Sequence, residues 1–444
     1  IACHNYGRYL TAAIESVLRQ TYTNWELLIF NDNSEDNTEE IIEKYKNFPK
    51  ILSYSTKGVG LCKIANKAIK KSKGEYLIRL DADDIFNENI LQILVTHMEK
   101  DKDLALAFPD YYLINEKGEI YSEIKRFNLS KQENLISTPP NGACMMIRKK
   151  ILKQIGGYRE DLGAQDGFDV WSKIHPKYKT LNVNLPLFYY RRHLDNMTNS
   201  VRRIVDARRA IKKDVAKEKL KTLSPIYCVI PCRKYFDFTK QLWNQKIGNK
   251  TLLEMVIESC IRSNIFDQII VASDDKKTKL VVDKFENSKL SFFLRDSKET
   301  IRNHDLSICL KTIMKKKNKE FKGMTFIKYL QTPFVDPETF KELINTMAIN
   351  DVDCTVGVEK IGDPLYRKNS YGLEPINFLK DIVTDYDYVY RETLTCCLIK
   401  NENLRNGNLY GSTILNYVVP SAECFKLESF HDLEIANIIY KKLI

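Results

Sequence analysis

Hydrophobic and polar positions along the N-terminal part of the chain follow two different periods. Short apolar runs at residues 25–30 and 76–80 are bounded by polar residues and have the length of buried strands. Longer segments at residues 10–20 and 85–97 carry apolar residues at the spacing of an amphipathic helix. Strands that alternate with helices in this way indicate an α/β fold with a mainly parallel sheet.

The same alternation restarts after Pro225. A strand at residues 226–230, a helix at residues 252–263 and a strand at residues 268–272 predict a second α/β unit. The segment before it, residues 201–224, is dense in Lys and Arg and has apolar residues at near-helical spacing. It predicts a basic helix that runs into a linker.

The length of 444 residues also predicts two domains, because one ordinary core rarely supports so long a chain. We place the first domain at residues 1–200 and the second at residues 225–444, with the basic helix and linker between them. No internal repeat relates the two halves, so each needs its own functional argument. Ile1 stands where an apolar strand is already under way, and we expect that the natural N-terminus is missing.

The composition of the chain limits which cellular compartment and which classes of binding partner are expected. The chain has 11 Cys without a CxxC pair and no apolar run of membrane-spanning length, which favours a cytoplasmic protein. A formal net charge of +11 suits nucleic acid, an anionic membrane face or a phosphate-bearing substrate. The chain lacks a basic stripe interleaved with aromatic residues, so we expect no nucleic-acid partner. Peripheral contact of the basic segment with the inner face of a membrane stays open.

Acidic residues cluster directly after the strand at residues 76–80. Asp81, Asp83 and Asp84 follow it within four positions, where α/β sheets collect their ligands. Mg²⁺ or Mn²⁺ prefers oxygen ligands and commonly bridges carboxylates to substrate phosphates. The alternative is a helix N-cap with an acidic turn.

A second strand ends in polar groups that can hydrogen-bond a base and a ribose. Asn31, Asp32, Ser34 and Asp36 follow residues 26–30. Asp32 is the better candidate for the base, although Asp32 or Asp36 could instead cap the helix that starts near Thr38. Two polar strand ends of this kind define one cleft.

These segments together resemble glycosyltransferase family 2, because His4-Asn5-Tyr6, Asn31-Asp32-Asn33-Ser34 and Asp81-Ala82-Asp83-Asp84 follow the order and spacing of that family. The resemblance covers residues 1 to about 200. It implies a GT-A fold and inverting transfer of a sugar from a nucleotide-sugar donor. It also implies that Asp32 contacts the nucleobase, that Asp83 meets the metal-bound diphosphate, and that Asn5, Ser34 and Asp81 contribute to the donor site.

Later segments resemble the acceptor side of the same family. Residues 141–148 and Gly156-Gly157-Tyr158 are followed by Gln165-Asp166 and by Asp169. Inverting transfer needs a base for the acceptor hydroxyl, and a carboxylate within reach suffices. Asp166 is the candidate, with Asp169 as the alternative because the spacing differs by one residue from the family pattern.

The run Arg191-Arg192-His193 resembles the closing segment of the family, where a basic group offsets the charge of the leaving diphosphate. We expect a functional role for one of the three and assign it to Arg191. A solvated basic face is the alternative.

The second half, about residues 225–444, resembles cytidylyltransferases that activate acidic sugars with CTP. Residues 226–233 and 247–254 carry the likeness, and Arg233, Lys240 and Lys250 are its candidate nucleotide-binding residues. The loop between Arg233 and Ile247 has neither Gly nor Ser to wrap the phosphates. Lys426 stands at an acidic metal-binding position of the family, and a lysine cannot hold Mg²⁺.

Two interpretations of the second domain follow, an active cytidylyltransferase with unusual loop chemistry or a silent binding domain, and the second is favoured. The family resemblance also suggests a homodimer through this domain. For the whole chain the sequence predicts a metal-dependent glycosyltransferase that acts on a cell-surface glycan or a lipid-linked acceptor. The alternatives are that synthesis of a CMP-sugar is the main activity, or that the chain is a non-catalytic scaffold that binds nucleotide-sugars.

Overall fold

The computed structural model describes residues 1–125, 140–300, 305–362, 365–369, 372–376 and 389–443. The chain divides into two compact units, which among these residues comprise Ile1–Ile211 and the residues from Lys212 onward. The sequence-based division at residues 200 and 225 therefore stays a prediction, because the two units divide inside the basic segment.

The first unit alternates strands and helices over most of its length. Its strands are β1 (Ala2–Cys3), β2 (Leu27–Asp32), β3 (Ile51–Thr56), β4 (Tyr76–Ile78), β5 (Ile85–Phe86), β6 (Leu104–Ile114), β7 (Ile120–Ile124), β8 (Met146–Arg148) and β9 (Lys179–Arg191). Its helices are α1 (Gly7–Leu18), α2 (Thr38–Tyr45), α3 (Leu61–Lys71), α4 (Ile90–Lys100), α5 (Lys149–Gln154) and α6 (Asp166–Ile174), and α7 (Val201–Thr222) follows.

Two sheets form this unit, and the expectation of a mainly parallel sheet is right for only one of them. The three-stranded sheet β1-β2-β3 is parallel throughout. The six-stranded sheet has the order β4-β8-β6-β9-β5 with β7 beside β6, and only β6 and β9 are parallel. One cause is local, since the turn from Asn115 to Gly118 joins β6 directly to β7, and a tight turn imposes antiparallel pairing.

The predicted helix at residues 85–97 is wrong at its beginning. Ile85 and Phe86 form β5 and pair with β9, and the helix starts only at Ile90. The side chain of Asn87 accepts a hydrogen bond from the backbone N–H of Asn89 at 3.0 Å, a turn that separates the strand from the helix.

The second unit contains one large mixed sheet. Its elements are β10 (Ile226–Cys232), β11 (Lys246–Ile247), β12 (Lys250–Thr251), α8 (Leu252–Ser263), β13 (Gln268–Ser273), α9 (Thr278–Val282), β14 (Leu290–Leu294), α10 (Leu306–Lys317), β15 (Met324–Lys328), α11 (Pro337–Asn350), β16 (Cys354–Ile361), β17 (Tyr366–Asn369), β18 (Gly372–Pro375), β19 (Val389–Lys400), α12 (Asn401–Arg405), β20 (Ile414–Val418) and α13 (Phe430–Leu443). The sheet has the order β14-β13-β10-β15-β19-β16-β20, in which β14, β13, β10 and β15 are parallel and β19 runs antiparallel to both of its neighbours.

Each unit buries its own apolar core. Leu10, Ile14 and Leu94 are fully buried in the first unit, and Phe326 and Phe340 in the second. Each unit has its own core and its own strands packed with helices, which confirms the predicted α/β fold class. All eleven cysteines are free thiols.

Among the described residues, no helix combines the length and the apolar character needed to cross a membrane.

Candidate functional site

The ends of β1, β2 and β4 meet at one edge of the first unit. Ala2 and Asp81 form a parallel bridge, which places the residues after β4 beside the end of β1. A cavity of about 1050 Å³ opens there. It is lined by several of the residues that the sequence predicted for the donor and acceptor sites, namely Asn5, Asp32, Asp81, Asp83 and Asp166.

The loops after β1 and β2 are tied together by hydrogen bonds. The backbone N–H of Asn5 donates to Oγ of Ser34 at 3.0 Å, and Oδ1 of Asn5 accepts from the backbone N–H of Glu35 at 2.8 Å. Asp36 accepts from the backbone N–H of Gly7 at 2.8 Å and from that of Thr38 at 3.1 Å. Asn5 and Ser34 therefore hold these two loops in place at the edge of the cavity. The backbone N–H at the start of α2 is bound by the side chain of Asp36 and not by that of Asp32.

Asp32 is buried and carries several internal hydrogen bonds. Its two oxygens accept from the backbone N–H groups of Val59 at 2.8 Å and Gly60 at 2.7 Å, and the hydroxyl of Thr56 donates to it as well. Burial alone would raise the pKa of Asp32, but these donors hold it below its usual value. The contact of Asp32 with a nucleobase stays a prediction.

The carboxylates after β4 are crowded and largely buried. Burial, followed by the nearby charges of Asp83 and Asp81, raises the pKa of Asp84 well above its usual value. Oδ1 of Asp84 accepts from the backbone N–H of Arg191 at 2.8 Å, while Oδ2 is buried without a hydrogen-bond partner among the described residues. Burial also raises the pKa of Asp81. A cation beside this cluster would relieve the repulsion.

Asp83 lies at the centre of the polar contacts. Its Oδ2 is 2.9 Å from Nε2 of His193 and 3.4 Å from Nδ2 of Asn196. The rings of Tyr6 and Tyr9 pack against His193, with centroid distances of 5.4 and 5.2 Å. The imidazole of His193 is therefore fixed on the carboxylate that the sequence assigned to the metal.

Arg191 does not line the cavity, although the sequence placed it at the donor diphosphate. Its guanidinium donates to the carbonyl oxygens of Asp83 at 2.8 Å, Asn115 at 3.0 Å and Glu116 at 2.8 Å. These contacts support the backbone at Asp83. Its neighbour Arg192 lines the cavity instead.

Asp166 and Asp169 have different surroundings. Asp166 is the first residue of α6, lines the cavity and pairs with Arg79. Asp169 is buried, pairs with Lys173 at 2.6 Å and is absent from the cavity lining. Burial raises the pKa of Asp169. The geometry favours Asp166 over Asp169 as the candidate base.

Arg79 is a member of the site that sequence reasoning missed. Its guanidinium joins Asp166 to Asp81, whose Oδ1 lies 2.9 Å from Nε of Arg79. Burial alone would lower the pKa of Arg79, yet the two carboxylates raise it well above its usual value. A signal was present in the sequence, because Arg79 lies near the end of the predicted strand at residues 76–80 and precedes Asp81 by two positions, a spacing that puts two side chains of an extended chain on one face.

The candidate residues of the second unit are held in contacts within the protein. The guanidinium of Arg233 lies 4.6 Å from the ring centroid of Phe236, and Nζ of Lys240 lies 5.7 Å from that of Tyr235. Lys250 pairs with Glu258 at 2.6 Å, and Lys426 pairs with Glu428.

Carboxylates from the end of β13 hold the loop that follows β10. The backbone N–H of Lys234 donates to Asp274 at 2.8 Å, and the side-chain amide of Gln241 donates to Asp275 at 2.7 Å. A backbone N–H that would face a phosphate in a nucleotide-binding loop thus faces an acid of the protein itself.

Comparison with known proteins finds a different family for each half of the chain. Residues 1–156 match the model of glycosyl transferase family 2. An uncharacterized glycosyltransferase of Methanocaldococcus jannaschii is 32% identical over 209 residues, which are 44% of this chain and 70% of that protein. The chain belongs to glycosyltransferase family 2. Residues 240–386 match the cytidylyltransferase family model, so this family 2 member also carries a cytidylyltransferase domain.

More distant similarities extend to larger proteins. Chondroitin synthase of Escherichia coli is 26% identical over 243 residues, which are 53% of this chain and 35% of that protein. The chain thus spans about a third of the length of that relative. TarS of S. aureus, solved with UDP-GlcNAc, is 19% identical with a TM-score of 0.42, and the match covers 49% of this chain and 65% of TarS.

Proposed function

We propose that the first unit transfers a sugar from a nucleotide-sugar donor to a cell-surface glycan or a lipid-linked acceptor, with inversion and with the help of a divalent cation. The observation that carries the proposal is the meeting of Asp81, Asp83 and Asp166 in one cavity at the strand ends. Membership of glycosyltransferase family 2 supports the reaction class. Membrane contact and a homodimer through the second unit stay predictions.

The protein groups near Asp83 fit a cation that the donor helps to hold. Among the described residues, no group of three or more His, Cys, Asp or Glu could hold a metal ion alone. Mg²⁺ or Mn²⁺ is commonly held by one or two carboxylates while substrate phosphates complete its ligands. Asp83, with Asp81 as a second carboxylate nearby, would hold the cation together with the donor phosphates, and His193 would orient Asp83 through its contact at 2.9 Å. The bound cation would offset the negative charge of the leaving diphosphate.

Asp166 has the position of the general base. As a carboxylate in the cavity it would accept the proton of the acceptor hydroxyl when that oxygen attacks the anomeric carbon. The ion pair with Arg79 orients the carboxylate and ties it to Asp81 on the donor side. The guanidinium of Arg79 thus contacts both Asp81 on the donor side and Asp166 on the acceptor side.

The first test is a thermal-shift panel of UDP-, GDP-, dTDP- and CMP-sugars, each with and without Mn²⁺. We expect one donor to raise the melting temperature of the wild type in the presence of Mn²⁺, since a ligand that binds the native state stabilises it by mass action. Asp83→Asn should lose this shift. Asp166→Asn should keep the shift and lose transfer to the acceptor, about a hundred-fold or more. Asp103→Asn, an exposed carboxylate outside the cavity, is the control and should behave as the wild type.

Two outcomes would contradict the proposal. One is that no nucleotide-sugar stabilises the wild type, and the other is that Asp83→Asn retains the full metal-dependent shift. The unliganded melting temperatures of the variants show whether a lost shift reflects the site or a damaged fold.

For the second unit we propose a binding role without cytidylyl transfer. The loop after β10 is held by Asp274 and Asp275, and Lys426 stands where the family resemblance places an acidic metal ligand. Shared fold does not guarantee shared chemistry.

A further inference from the structure

The basic helix α7 supplies side chains to the cavity of the first unit. Arg203, Ile204 and Arg208 line it, together with the loop that leads to Asp166. The sequence assigned this segment to a helix and linker, without a role in the site. Two arginines spaced five residues apart on α7 therefore reach the acceptor side of the candidate active site.

Both arginines lie against the loop that carries Asp166. A Cβ atom on Gly163 would lie 2.9 Å from Nε and 3.3 Å from Nη2 of Arg203, so the absence of a side chain at Gly163 makes room for the guanidinium. Nε of Arg208 donates to Oε1 of Gln165 at 3.1 Å. The guanidinium of Arg203 thus lies beside Gly163, which precedes the candidate base Asp166 by three residues.

The acidic side chains of the cavity are committed to other partners. Each has a hydrogen bond or an ion pair within the first unit: Asp32 with Val59 and Gly60, Asp81 and Asp166 with Arg79, Asp83 with His193, Glu160 with Asn66, and Asp195 with Arg8. Arg203, in contrast, has no hydrogen bond or ion pair with any residue that the structure describes.

We propose that Arg203, supported by Arg208, binds an anionic group of the acceptor beside Asp166. A guanidinium presents its N–H donors in a fork that matches the oxygens of a carboxylate or a phosphate. The acceptor is then an acidic saccharide or a saccharide linked through phosphate. This inference rests on the proposed transfer activity, because Asp166 defines the acceptor side.

The test uses three probes: glucuronate for the carboxylate, glycerol 1-phosphate for the phosphate, and glucose as the neutral control. Binding to the full chain is titrated by saturation-transfer NMR. We expect one of the anions to bind about ten-fold more tightly than glucose, and Arg203→Gln to remove about ten-fold of that affinity. Arg203→Lys should recover part of it, because the charge remains while the fork is lost.

Arg202→Gln is the matched control. Arg202 precedes Arg203 on α7, its side chain is 95% exposed, and it does not line the cavity. This variant should change the affinity for either anion less than two-fold. Preference for glucuronate identifies an acidic sugar in the acceptor, and preference for glycerol 1-phosphate identifies a phosphate-linked one.

The proposal is overturned if neither anion binds better than glucose, or if Arg202→Gln weakens binding as much as Arg203→Gln. The donor panel separates this failure from failure of the proposed function. If a nucleotide-sugar binds and its binding depends on Asp83, but neither anion binds better than glucose, only the proposed anion site is overturned. If the chain binds no nucleotide-sugar but binds an anion through Arg203, the anion site stands, whereas the transfer activity and the assignment of the anion to an acceptor are overturned.

Discussion

Arg79 shows how much of the site depends on one side chain. Its side chain is only 14% exposed, and it joins Asp81 near the donor site to Asp166, the candidate base. Removal of one member of a buried pair leaves the other charge without compensation, which commonly costs about 3 to 5 kcal/mol. Arg79 acts on the reaction through these carboxylates, so we regard it as a positioning residue.

We predict that Arg79→Met moves the acidic limb of donor binding to higher pH. Burial raises the pKa of Asp81 and the charge of Arg79 opposes this effect, so loss of the guanidinium raises that pKa further. A protonated Asp81 no longer supports the cation, and the donor-induced thermal shift should disappear about one pH unit earlier as the pH falls. Arg79→Lys should restore part of the wild-type profile.

The control for this measurement is Arg202→Met, which removes a highly exposed arginine and should leave the pH profile unchanged. An Arg79→Met protein that binds the donor with the wild-type pH dependence would show that Arg79 has only a structural role. The melting temperature without ligand, recorded at each pH, corrects for the general loss of stability.

At the scale of an element, α8 illustrates how local chemistry sets a boundary. Thr251 accepts from the backbone N–H of Glu254, and Glu254 accepts from the backbone N–H of Thr251, which is a complete capping box. Lys284 pairs with the same carboxylate at 2.8 Å. The helix therefore starts at Leu252, where the sequence predicted it.

We predict that Glu254→Gln destabilises the second unit by about 2 kcal/mol at pH 7. Burial alone would raise the pKa of Glu254, but Lys284 and the Thr251 donors lower it to about 2. Because the folded-state pKa is depressed, this stabilisation is complete above the unfolded pKa of about 4.3 and disappears as the pH falls towards 2.

Urea unfolding at pH 7, 4.5 and 3 measures the difference between Glu254→Gln and the wild type. The difference should shrink steadily over this range. Glu286→Gln, an exposed carboxylate on the same unit, is the control and should have little effect at any pH. A difference that stays constant with pH would assign the effect to the shape of the side chain and not to its charge.

The whole molecule combines two nucleotide-binding families in one chain. Their candidate sites differ in how the groups that would face a ligand are paired within the protein. The cavity of the first unit is open and lined by acids. In the second unit, Asp274 and Asp275 receive hydrogen bonds from the loop that would contact the phosphates of CTP. We therefore expect the glycosyltransferase site to be the working one.

We predict that the chain releases no pyrophosphate from CTP and Mg²⁺ when N-acetylneuraminate or 3-deoxy-octulosonate is supplied. The physical reason is that the backbone N–H of Lys234 and the side-chain amide of Gln241 in the loop already donate to acids of the protein, while Lys250 and Lys426 outside the loop are in ion pairs. A coupled pyrophosphate assay measures this directly. Release that is lost in Arg233→Gln would reverse the prediction and assign cytidylyl transfer to the second unit.

Features with local causes follow from the order of residues alone. The apolar pattern predicts the helix at residues 252–263 with its observed bounds, and the capping box at its start is likewise formed by residues that are neighbours in the chain. Asp81 and Asp83 were found for a similar reason, since an acidic run after an apolar strand is visible in the order of residues. The family resemblance added the order of these motifs along the chain.

Contacts between residues far apart in the chain become visible only in the folded protein. Arg79 and Asp166 are 87 positions apart, and Arg203 reaches the loop before Asp166 from the predicted basic helix, for which the sequence indicated no role in the site. The antiparallel pairing of β4 with β8 likewise joins segments remote in sequence. Such contacts depend on strand order and on the direction of side chains in the packed fold, which periodicity does not encode.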